Sequence, residues 1–126
     1  MKVIKTANFK IASVVNQPVY HGTGATFNRF SLKHSTQGII WFTSDIESIR
    51  KGEAGASGQG VILELQVNIN KAAGWREYDQ LMLAQLKQQG FDGAILPGHN
   101  GHFDGFVFSP SQVKIVRRLP LKPEQP

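Results

Sequence analysis

With 126 residues, 40% of them hydrophobic, the chain has room for one domain with a substantial core and not for two. It has no cysteine, which excludes a disulfide scaffold, a thiolate nucleophile and a cysteine-based zinc site, so any chemistry falls to His, Asp, Glu, Trp and backbone amides. A formal charge of +5 favours phosphate-bearing or acidic partners; with no apolar run long enough for a bilayer and no hydrophobic stretch after Met1-Lys2-Val3-Ile4-Lys5, no membrane partner and a cytoplasmic location are expected.

Residues 2 to 15 hold two short β-prone runs, Val3-Ile4 and Phe9 to Val15, parted by Thr6-Ala7-Asn8, which predicts a hairpin or an edge strand. Pro18 restarts the chain into a strand through Tyr20-His21 that breaks at Gly22-Thr23-Gly24 into a tight turn. Glycine there lets backbone approach a flat ligand closely, although a histidine at such a junction also serves as an ordinary local hydrogen-bonding residue. A polar loop follows to about Gln37, with Phe27 and Phe30 three apart and Arg29, Lys33 and His34 as a basic lining. The apolar run Gly38 to Asp45 predicts a buried strand feeding a short helix, Ile46 to about Lys51, with Ser44 or Asp45 as N-cap. Gly52 to Gly60 is flexible by composition.

Val61, Leu63, Leu65, Val67 and Ile69 alternate with Ile62, Glu64, Gln66, Asn68 and Asn70, which predicts a strand with one buried and one wetter face and makes Glu64 a solvated residue. A helix is predicted from about Arg76 to Gln89, with Tyr78, Met82 and Leu86 at steps of four and Gly90 placed to end it. Phe91 to Leu96 reads as a strand, Pro97 to Gly101 as a turn and Phe103 to Phe108 as its antiparallel partner. Ser109-Pro110-Ser111-Gln112 is a capped single turn, Val113 to Val116 a last strand, and Leu119 to Pro126 a tail. The predicted organisation is a single domain over residues 1–126 with its motif-bearing core at about 18–116.

Three separated pieces now stand in order: Tyr20-His21-Gly22-Thr23, Gly38-Ile39-Ile40-Trp41-Phe42-Thr43 and Phe103-Asp104-Gly105-Phe106-Val107-Phe108. Together they resemble the His-Tyr-Glu class of ADP-ribosyltransferases, which includes diphtheria-toxin-like and poly-ADP-ribose polymerase catalytic domains, and most of all the small bacterial and phage domains found in polyvalent proteins. In that pattern one strand ends in His-Gly-Thr or His-Gly-Ser, a second reads roughly Gly-x-Tyr-Phe, and a late strand reads Glu-Tyr-x-Val-Phe or Tyr. The likeness runs from about Pro18 to Ile115, with Trp41 standing in the tyrosine position and Asp104 in the glutamate position.

The resemblance implies an α+β fold of split, mostly antiparallel β-sheets with few helices and a central NAD cleft. It implies a mono-ADP-ribosyltransferase that takes NAD, releases nicotinamide and passes ADP-ribose to a macromolecular acceptor, protein or nucleic acid, as a phage or bacterial effector in its own or a host cell would. His21, Gly22, Thr23, Trp41 and Phe42 would bind NAD: His21 through a ribose hydroxyl, the Gly22 backbone through the carboxamide, and the aromatic at Trp41 by stacking on the nicotinamide. His21 and Asp104 would be the catalytic pair, the carboxylate stabilising positive charge on the ribose as nicotinamide departs. Aspartate is one methylene shorter than glutamate, a shortfall of about 1 Å, and misplacement on that scale costs on the order of a hundredfold in rate.

Apart from the resemblance, Trp41 also reads as a core residue of an apolar strand, and Asp104, near Gly101 and Gly105, as a hairpin residue. His99 and His102 with Asp104 make a metal-ligand spacing without a further supporting ligand, so no metal is expected. Two other functional classes stay open: a non-catalytic module that grips NAD, ADP-ribose or a nucleic-acid end in the same cleft, and a nucleic-acid-binding protein that works through its basic face. Hydrolysis of NAD by the same residues is a variant of the transfer reaction.

Overall fold

The β-branched and aromatic runs build seven strands in the computed structural model, which describes residues 13–23, 38–52 and 60–120. They are β1 (Val19–Thr23), β2 (Ile40–Thr43), β3 (Val61–Val67), β4 (Ala72–Ala73), β5 (Gly93–Pro97), β6 (Phe103–Val107) and β7 (Val113–Pro120). Three short helices accompany them among the described residues: α1 (Ile46–Arg50), α2 (Trp75–Gln80) and α3 (Leu83–Gln88). None is long and apolar enough to cross a membrane. The strands form one sheet in the order β4-β5-β6-β2-β1-β3-β7, antiparallel throughout except for the β4–β5 pair, so the fold is α+β and strand-rich.

Two long ladders, β5–β6–β2 on one side and β1–β3–β7 on the other, meet at a narrow seam. β1 and β2 share one registered pair, Tyr20 with Thr43, whereas β1 and β3 share five, from Val19–Leu65 to Thr23–Val61. The sheet is also curled. Gln112 precedes β7 and Asp92 precedes β5; in a flat sheet these strands stand five spacings apart, roughly 24 Å. Yet Gln112 Nε2 donates to the Asp92 carbonyl at 2.7 Å and to the Asn68 carbonyl at 2.9 Å. The Asp92 carboxylate closes the same end by accepting from the Asn70 and Lys71 amides at 2.9 and 2.8 Å.

Val19, Phe42, Leu63, Leu65 and Val107 pack on one face of the sheet, joined by Val15 and Ile69. The other face is covered by the helices: Ile49 of α1 sits on Ile62, and Leu86 of α3 joins Ala94, Leu96 and Phe106. Both faces of β3 are therefore covered over Ile62 to Leu65, and the solvated role expected for Glu64 is corrected: it is 8% exposed and its Oε1 accepts from Arg117 Nε at 2.9 Å.

Other expectations divide in the same physical way. Asp45 caps α1 by accepting from the Glu47 amide at 3.1 Å, Ser109 caps the turn at Pro110–Gln112, and the β5–β6 hairpin forms as expected, its turn carrying Asn100 at φ 57 in the left-handed region. The single helix expected from Arg76 to Gln89 is two helices, because Leu81 and Met82 are extended (ψ 147 and 160) and each helix has its own acceptor for its first amide. Glu77 accepts from the Gly74 amide and Gln85 from the Met82 amide, both at 2.8 Å. β1 does not break at Gly22 but pairs through Thr23, and β7 runs on through Pro120, drawing Leu119 under α1 instead of into a tail. The expected segment before Ser13, the loop from 24 to 37, the connection over 53–59 and the tail from 121 lie outside the described residues.

Candidate functional site

The three motif strands stand side by side as β6-β2-β1 in the middle of the sheet, so pieces far apart in the chain become neighbours. Register and alternation decide which side chains meet. Thr43 is paired with both Tyr20 and Asp104, and Trp41 with Phe106, so Tyr20, Trp41, Thr43, Asp104 and Phe106 share one face. Asp104 lies one diagonal step from Trp41, about 7 Å between Cα atoms. His21 and Phe42 belong to the opposite face by the same alternation.

The His21 ring nevertheless returns to the seam, where its Nδ1 is 2.7 Å from the Trp41 carbonyl. A carbonyl only accepts, so Nδ1 carries the proton and Nε2 is the acceptor nitrogen of the neutral ring. Burial pulls the pKa of this histidine below its ordinary 6.5; the bond to the Trp41 carbonyl opposes that shift and is the smaller influence. A side chain thus bridges the two strands just beyond their single registered pair. The Trp41 ring is held edge-on by Phe106 (centroids 5.1 Å apart) and Tyr78 (6.2 Å).

Asp104 is exposed at the start of β6 and opens onto a cavity of about 260 Å³. Thr43, Asp45 and Ser48 line it from the β2–α1 junction, His99, Asn100 and His102 from the β5–β6 turn, and Trp75 from α2. Trp75 Nε1 donates to the Pro97 carbonyl at 2.7 Å, which fixes the indole while leaving the residue 47% exposed. His102 Nδ1 lies 3.4 Å from Ser44 Oγ, which itself accepts from the Phe103 amide at 2.8 Å. No group of His, Asp and Glu among the described residues has the arrangement of a metal site.

Trp41 and Asp104 therefore come together on one face, and His21 joins Trp41 through its main chain. Neither His21 nor Trp41 lines the Asp104 cavity. Gly22 and Thr23 lie opposite Ile62 and Val61 in the ladder, and Phe42 is 3% exposed in the core, with its ring against Gly105. Glu64 is on the far side of the seam in its ion pair with Arg117. Sequence reasoning missed Trp75 and Asp45 as cavity residues. Asp45 gave only a capping signal, and Trp75 reaches the cavity because α2 packs beside β5. No family model matches the chain, and no curated protein or solved structure matches it at a significant level.

Proposed function

We propose that the chain is a mono-ADP-ribosyltransferase that uses NAD and transfers ADP-ribose to a macromolecular acceptor. The supporting observation is the meeting of the three motif strands at a seam, with Trp41 and Asp104 on one face and the His21 ring tied to the Trp41 carbonyl. The residue chemistry suits the substrate. A neutral His21 with Nε2 as acceptor can receive a hydrogen bond from a ribose hydroxyl, and the Trp41 indole offers a stacking surface. In the reaction the bond between nicotinamide nitrogen and ribose C1′ breaks, with its electron pair going to the pyridinium ring. The acceptor nucleophile then bonds to C1′ and gives up its proton. Asp104 supplies a negative charge against the cation that develops at the sugar.

Incubation with labelled NAD and a cell lysate tests this reading. Label transfer is expected in the wild type and is abolished in His21→Ala. Asp104→Glu, which restores the missing methylene, is expected to raise the rate on the order of a hundredfold. No transfer by either the wild type or Asp104→Glu overturns the proposal. A second reading, a non-catalytic module that binds NAD or ADP-ribose at the same seam, draws support from the shorter carboxylate that stands at Asp104. Thermal stabilisation by ADP-ribose without nicotinamide release is its signature.

A further inference from the structure

From the cavity onto which Asp104 opens we infer a second binding function, which shares Asp104 with the NAD reading but does not need NAD: it is a receptor for the guanidinium group of an arginine side chain on a partner peptide. Its lining combines the Trp75 indole, the Asp45 and Asp104 carboxylates, the His99 and His102 imidazoles and small polar groups. Trp75 is held by its bond to the Pro97 carbonyl, so the ring is oriented before any ligand arrives. Asp104 is exposed and lines the cavity together with Asp45, one of whose carboxylate oxygens is engaged by the Glu47 amide. Among the described residues, none that lines the cavity is a lysine or arginine, although the chain as a whole carries a formal +5. The charged side chains among the described lining residues, Asp45 and Asp104, are thus opposite in sign to the chain as a whole.

A cation that is planar, weakly hydrated and able to donate sideways while lying on an aromatic face is a guanidinium, and an ammonium has none of those features beyond its charge. The Asp104 carboxylate, the Asn100 carboxamide and the main chain of the β5–β6 turn supply acceptors around such a group. Size points the same way. About 260 Å³ lies below the usual range of small-ligand pockets, roughly 300–1,000 Å³, so it admits one long side chain and not a dinucleotide.

The test uses the full chain and three capped amino-acid amides as probes: N-acetyl-arginine amide, N-acetyl-lysine amide and N-acetyl-citrulline amide, the last a neutral analogue of arginine. Binding is read from the indole and imidazole NMR signals of Trp75, His99 and His102. Saturable shifts with the arginine probe, weaker ones with lysine and none with citrulline are expected, and the arginine affinity should fall with added salt. Asp104→Asn should weaken arginine binding about tenfold or more, as loss of a charge-assisted partner does. Trp75→Ala should weaken it severalfold, and this residue has no part in the NAD reading. Equal shifts with arginine and citrulline, no shifts with any probe, or an unchanged arginine affinity in both folded variants overturns the inference. NAD turnover is not read in any arm, so the outcome is separate from that of the transferase test.

Discussion

Because burial holds the His21 imidazole below its ordinary pKa of 6.5, the folded protein binds fewer protons at that ring than the unfolded chain does between the two values. Its contribution to stability is complete above about pH 6.5 and is lost as the pH falls from there through the lowered folded value. The melting temperature should drop on acidification from neutral pH, and His21→Gln, which does not titrate, should flatten that drop. Parallel melting curves against pH for the two proteins would contradict the assignment. A different single residue does more for the closed end of the sheet. The Gln112 amide accepts from the Phe108 and Ser109 amides at 3.2 and 3.0 Å while donating to the Asn68 and Asp92 carbonyls. Gln112→Ala removes all four partners from half-buried backbone groups and is expected to cost about 1–3 kcal/mol in urea unfolding. Gln112→Glu keeps the accepting oxygen but turns the donor into a second acceptor facing two carbonyls, so it should give no rescue.

At the level of elements, the split of the expected helix at Leu81–Met82 separates two positions that a continuous helix makes equivalent. Met82 and Leu86 are four apart, yet Met82 is 74% exposed and Leu86 fully buried. Met82→Lys should leave the unfolding free energy within about 0.5 kcal/mol, whereas Leu86→Ala should cost about 2–5 kcal/mol. Comparable losses at the two positions would restore the single helix. Strands and their turns were legible because their signals are local: alternation in β3, the Pro97-Gly98 break before β6, and the serine and proline that open the last turn. The helix break was not, since it rests on Glu77 and Gln85 side chains supplying caps rather than on glycine or proline. Nor was β4, two alanines that become a strand only through their parallel pairing with Gly93 and Ala94. Glu64 looked solvated because its covering partner, Arg117, lies 53 residues further along the chain. The candidate site divides likewise: the motif strands could be read from sequence, but the face each side chain takes is set by register, and the Asp104 cavity by the packing of α2 beside β5. Gly105 shows how tight that register is. A Cβ there would meet the Phe42 ring at 2.6 Å as well as the Ala94 carbonyl, so the glycine keeps β5, β6 and the core in contact and gives β6 no freedom to shift.

For the molecule as a whole, the two ladders are tied in distinct ways at their two meeting places. At one, Tyr20–Thr43 is reinforced by the His21 ring on the Trp41 carbonyl; at the other, Gln112 and Asp92 join β3, β5 and β7 at their ends. Between them both halves share the buried cluster of Val19, Phe42, Leu63 and Val107. The seam has the fewest registered pairs of any strand contact in the sheet, so local opening is expected there first, and it would change the distance between His21 and the Trp41–Asp104 face. Native-state hydrogen exchange separates this from a loss of global stability. His21→Ala removes the hydrogen bond to the Trp41 carbonyl, a net contribution of about 1 kcal/mol, so the seam-facing amides of β1 and β2 should exchange about fivefold faster while those within β3 and β5 keep their rates. Gln112→Ala should do the reverse, speeding exchange around Asn68 to Asp92 and leaving the seam unchanged. If His21→Ala instead accelerates every protected amide alike, the two ladders open only together, and the seam is a rigid joint rather than a hinge for a ligand.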